Sequence, residues 1–121
     1  MKKKVETEKT KIVGVTYDGR QENIKKINDM VDQLVAEREP ENPYDPNAIH
    51  VYIVPDNTIY VDDNVDYIPE EPVSCGYINR HLAKKLAPEM DAGKELTIHN
   101  YHIMGNGVDT PLGVMIEYSL T

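Results

Sequence analysis

The chain has 121 residues, with 21 Asp and Glu against 13 Lys and Arg and a formal net charge of −8. This length accommodates one core and one domain. The acidity excludes a general basic coat for duplex nucleic acid or an anionic membrane, but not a local basic groove, and no apolar run is long enough to span a bilayer.

Met1-Lys2-Lys3-Lys4 is followed by Val5 and Glu6 instead of an apolar stretch, so no signal peptide is expected and residues 1–10 are predicted to fray. Lys11–Tyr17 (KIVGVTY) is short, apolar and β-branched and predicts a strand, with Gly14 marking a bulge or a close backbone approach. Asp18-Gly19 is a turn signal, and Ile24 and Ile27 share one face of a short helix over Arg20–Asn28. Asp29–Glu39 reads as a strand that ends at Pro40. Asn47–Val54 (NAIHVYIV) predicts a strand with Ile49, Val51 and Ile53 on one face and His50 and Tyr52 on the other.

Residues 55–72 carry Asp56, Asp62, Asp63, Asp66, Glu70 and Glu71 and no Lys or Arg. They read as an acidic insertion, with Thr58–Val61 and Asp66–Ile68 placed to form a hairpin arm. Ser74–Ile78 predicts a short strand. Asn79 is a good N-cap for a helix from Arg80 to about Met90, with Leu82, Ala83, Leu86 and Met90 as its apolar stripe and Gly93 beyond its end. Glu95–Met104 and Leu112–Leu120 predict two last strands, joined by a loop containing Gly105-Asn106-Gly107. Short strands with two short helices predict a mainly β, α+β domain built as a small barrel or highly curved sheet of about six strands.

The single Cys75 makes no intramolecular disulfide and no Cys-rich zinc cage, and it points to a reduced, cytoplasmic compartment. His99 and His102, three apart on a strand, face opposite sides, and His50 and His81 have no Cys or His companion, so no metal is expected. Neither a phosphate-binding GxxxxGK[ST] motif nor a Ser-His-Asp spacing is visible, so no enzyme, cofactor or catalytic residue is predicted.

Three segments together resemble one family. Ile12–Gly19 (IVGVTYDG) is similar to its opening strand. Arg38–Tyr52 (REPENPYDPNAIHVY) carries its central pattern, Arg-x-Pro-x-Asn-x-Tyr-Asp-x-Asn-Ala-Ile, and Cys75–Gly93 (CGYINRHLAKKLAPEMDAG) resembles its Gly-[Tyr/His]-[Ile/Leu] strand and Leu/Ala-rich helix. The family is the HIRAN domain, and the resemblance runs over roughly residues 11–120. It implies an OB-like barrel that binds single-stranded DNA and captures free 3′ ends, in DNA repair or replication restart and beside a helicase or repair protein. Carried across residue by residue, it implies that Tyr17 stacks on terminal bases, Tyr44 and Asp45 handle the end, Asn42 lies beside them, Tyr77 follows the strand Gly, and Arg80 meets a phosphate. The chain departs from the family at Thr16, at Asp18 and in the insertion 55–72.

Each of these residues also has a plainer reading. Pro presets φ while Asn and Asp form Asx turns, so residues 42–47 satisfy turn chemistry on their own. Tyr17 suits a core or edge aromatic, and Tyr77 a half-buried sheet position. Arg80, Lys84 and Lys85 suit a solvated helix face. The alternative function is a protein-interaction scaffold whose acidic arm docks on a basic partner.

Overall fold

The computed structural model describes residues 6–27, 32–55 and 71–121. The hairpin arm expected within the acidic insertion lies outside these residues. The elements in chain order are β1 (Glu8–Lys11), α1 (Arg20–Lys25), β2 (Gln33–Arg38), β3 (Ile49–Val54), β4 (Val73–Tyr77), α2 (Arg80–Asp91), β5 (Leu96–Met104) and β6 (Gly113–Leu120).

Among the described residues the six strands form two three-stranded antiparallel sheets, ordered β1-β6-β5 and β2-β3-β4. They do not close into the OB-like barrel that the resemblance implies. Among the described residues one backbone bridge joins the two sheets, in which the Val13 N–H donates to the Tyr77 carbonyl at 2.9 Å and the Tyr77 N–H to the Val13 carbonyl at 3.0 Å. The pairing stops there because Gly14, at φ +72°, turns the backbone away.

The same turn corrects the expected strand over Lys11–Tyr17. The regular strand lies earlier, over Glu8–Lys11, where it pairs with Met115–Tyr118 of β6. Residues 8–10, expected to fray, are therefore held in a sheet, while Val15–Tyr17 turn toward α1.

Gly76 makes the seam possible. A Cβ at this position would stand 2.5 Å from the Val13 carbonyl oxygen and 2.7 Å from Ile12 Cγ2, so only glycine lets the chains approach this closely. Ile12, Ile49, Val51, Cys75, Val114 and Ile116 are fully buried around the junction and form the centre of one core that both sheets share. Burying side chains of this size contributes about 1.5–3 kcal/mol each before the cost of ordering the chain.

α2 forms as its sequence predicts. The Asn79 side-chain oxygen accepts from the Leu82 N–H at 2.9 Å, which satisfies one of the free donors of the first turn. Ala83, Leu86 and Ala87 are buried against the core, with Leu82 and Met90 beside them. The Gly93 N–H closes the helix end on the Met90 carbonyl.

Candidate functional site

A groove of about 860 Å³ opens where the end of β2, the loop of residues 39–48, β4 and the start of α2 meet. Of the six residues singled out from the sequence, Asn42, Tyr44, Asp45, Tyr77 and Arg80 line it. Tyr17 does not; it stands 67% exposed on the turn before α1, next to Asp18, which does reach the groove. β1 ends at Lys11 and Gly14 turns the backbone after the bridge at Val13, so Tyr17 is carried on a turn instead of a sheet face.

The loop holds its shape through its own short polar side chains. Asn42 Oδ1 accepts from the N–H groups of Tyr44 (2.9 Å) and Asp45 (3.1 Å), while Asn42 Nδ2 donates to Glu39 Oε1 at 3.0 Å. Asp45 Oδ1 accepts from the Asn47 N–H at 2.9 Å. Turn chemistry and groove lining therefore coexist in Asn42 and Asp45. One amide hydrogen of Asn42 and the second carboxylate oxygen of Asp45 remain for other partners.

Arg38 clamps this loop to α2. Its Nε and one Nη donate to the two carboxylate oxygens of Asp91 at 2.9 and 3.1 Å, and its Nη groups also donate to the carbonyls of Ala48 (2.8 Å) and Pro46 (3.0 Å). The Arg38 hydrogen bonds hold the Asp91 carboxyl below the usual carboxylate range.

Beneath the loop lies a polar network that the sequence reading missed. His50 Nδ1 meets Glu39 Oε2 at 2.5 Å and its Nε2 meets Ser74 Oγ at 2.6 Å, while Arg20 Nε donates to the same Oγ at 2.9 Å. The Tyr77 hydroxyl donates to Glu39 Oε1 at 2.7 Å. Burial acts to raise the Glu39 pKa, but hydrogen bonds from Asn42, His50 and Tyr77 outweigh it, and the carboxyl titrates below its usual value. Tyr77 moves the other way: burial, then the hydrogen bond to Glu39, push its phenol up to about 12.

The aromatic rings follow the same line. His50 is stacked against Tyr52 with ring centres 4.1 Å apart and against Tyr77 at 4.3 Å, and the Arg20 guanidinium lies 5.2 Å from the Tyr77 ring centre. Tyr77 is thus packed by protein on its ring and anchored at its hydroxyl, which makes it part of the groove wall. The sequence signal for this network was the pairing of His50 and Tyr52 on one face of β3. Glu39 gave none, because it falls on an open position of the central pattern.

Ser74, His50 and Glu39 stand in the order of a Ser-His-acid relay. Ser74 Oγ is engaged by Arg20 as well as His50, however, and Ser74 lies outside the lining of the groove. The chain of contacts orients Tyr77 and the loop rather than presenting a nucleophile.

The groove wall carries four acids, Asp18, Glu39, Glu41 and Asp45, against three arginines. Arg20 is bonded to the Gly14 carbonyl and Ser74, and Arg38 to Asp91 and two carbonyls. Arg80 makes only a long contact, its Nε 3.9 Å from Asp45 Oδ2, with its side chain 83% exposed. Tyr44 is 88% exposed at the rim.

Residues 5–97 match the family model of the HIRAN domain. No curated protein and no solved structure matches the chain.

Proposed function

The chain belongs to the HIRAN domain family, and from that premise we propose that it holds the free 3′ end of single-stranded DNA in the groove between residues 38–48, β4 and the start of α2. HIRAN domains are nucleic-acid-binding modules, generally without catalysis of their own. The observation that carries the finer reading is the make-up of the groove: an accepting oxygen of Asp45, an exposed tyrosine, and Arg80, whose single charge contact is a long one, in a wall where Arg20 and Arg38 are held by other protein groups.

Each part matches one feature of a strand end. A terminal hydroxyl donates to Asp45 Oδ2, which accepts no other hydrogen bond within the loop. A phosphate one step back meets Arg80. A terminal base stacks on Tyr44, a contact worth about 1–3 kcal/mol per base. A phosphate at the end itself would place its added negative charge beside Asp45, where like charges repel, in a wall that holds four acids against three arginines. The net charge of −8 works against broad backbone binding and favours an end-directed ligand. In this reading the module serves DNA repair or replication restart in the cytoplasm, beside a helicase or repair protein.

Fluorescence anisotropy with oligonucleotides ending in a 3′-hydroxyl or a 3′-phosphate tests the reading. Tighter binding of the hydroxyl end, with the preference erased in Asp45→Ala, supports it. Equal binding of both ends, or no binding at low salt, overturns it.

A further inference from the structure

Arg80 is the last residue of α2 to line the groove, and the helix carries a further cation just past it. α2 carries Arg80 and Lys84 one turn apart, a rise of about 6 Å, and the two lie about 40° from each other around the helix. Asp91 falls on the same stripe, and through Arg38 it is tied to the carbonyls of Pro46 and Ala48. At the other end of the stripe Arg80 faces Asp45. The loop of residues 45–48 therefore runs beside this stripe from one contact to the other, with exposed Lys84 between them. Lys85, also exposed, lies about 100° further round and away from the loop.

The charge along this stripe contrasts with the rest of the chain. The acids of α2 lie in its last turns, and both are answered: Glu89 by Lys94 at 2.6 Å and Asp91 by Arg38. Among the described residues neither Lys84 nor Lys85 is in an ion pair.

We propose that Lys84 is a second phosphate contact, one step upstream of Arg80, so that a strand whose 3′ end sits in the groove leaves it along the Arg80–Lys84 stripe of α2. This rests on the function proposed above and adds a direction to it. The ligand passes over the helix and beside the loop, and its second phosphate meets an exposed lysine instead of the acidic wall.

The test compares Lys84→Gln with Lys85→Gln, two exposed changes on the same helix, using a thymidine dinucleotide and a thymidine decanucleotide with free 3′-hydroxyls. NMR amide shifts read the weaker binding of the short ligand. Lys84→Gln is expected to weaken the decanucleotide about two- to fivefold, the range of one exposed ion pair. It is also expected to lower the salt slope by about 0.7 and to leave the dinucleotide unchanged, while Lys85→Gln matches the wild type throughout. If both variants bind the decanucleotide alike, or if Lys84→Gln weakens both ligands equally, the track is overturned and end capture stands. If the wild-type protein binds neither ligand, both readings fall.

Discussion

Tyr77 and Glu39 meet at 2.7 Å, the phenol donating to a carboxylate that also receives Asn42 and His50. This contact joins β4 to the loop that carries the central sequence pattern, so the floor of the groove and its rim are set by one carboxylate. A half-buried acid with three donors is stable as an anion, and each donor is in turn placed by it.

The Tyr77 phenol gives this contact a signature in alkali. Its folded pKa is raised to about 12 from an ordinary value of 10.0, so its contribution to stability is complete below pH 10 and is lost as pH rises toward 12. Burial raises the Cys75 thiol to about 12 as well, from 9.0, which adds a second loss beginning at lower pH. Tyr77→Phe is expected to flatten the upper part of the alkaline unfolding curve and Cys75→Ala the lower part. Circular dichroism across pH 8–12 checks both. Tyr77→Phe also removes a donor from Glu39, at a cost of about 1 kcal/mol at neutral pH.

Gly76→Ala is expected to cost about 2–3 kcal/mol, from overpacking and backbone strain together. The new Cβ would meet the Val13 carbonyl, and the residue sits at φ +152°. The bridge at Val13 is the seam between the sheets, so hydrogen exchange at the Val13 and Tyr77 amides should accelerate more than at Val51 in the centre of β3. Uniform acceleration would show that the seam opens only with the whole fold.

Arg38→Lys is expected to behave like Arg38→Ala, because an ammonium lacks the planar fork that reaches Asp91, Pro46 and Ala48 together. The Pro46 carbonyl loses its Arg38 donor and the Ala48 carbonyl keeps only the Glu39 N–H, at a cost of about 1 kcal/mol. Asp91 also returns to the ordinary carboxylate range, so its carboxyl titration, followed by NMR, should move up in both variants. If Arg38→Lys keeps wild-type stability, the fork geometry is not what holds the loop.

How far the sequence showed this arrangement depends on how local each feature is. The loop of residues 39–48 was legible because Pro, Asn and Asp make their hydrogen bonds within a few positions of themselves. The α2 cap at Asn79 was legible for the same reason. The network of Glu39, His50, Ser74 and Arg20 was not, because its members come from four parts of the chain and meet only once β3 has paired with β4. The first strand was misplaced because KIVGVTY has uniform β composition, and only the conformation of Gly14 breaks it. The barrel was expected from the short strands as well as from the family resemblance, whereas among the described residues Gly14 limits the seam between the sheets to one residue pair.

Tyr44 and Tyr17 separate stacking from packing. Tyr44 lines the groove and is 88% exposed, so Tyr44→Ala is expected to change stability by less than about 0.5 kcal/mol. The same change should weaken binding of an oligonucleotide with a 3′-hydroxyl by about 1–3 kcal/mol, the value of one base on one ring. Tyr17 is also exposed but stands outside the groove, so Tyr17→Ala should have the smaller effect on binding. Thermal unfolding and anisotropy on the two variants decide this. If Tyr17→Ala has the larger effect, the terminal base sits over the turn before α1, and the strand end must then be placed beside Asp18 instead of Asp45.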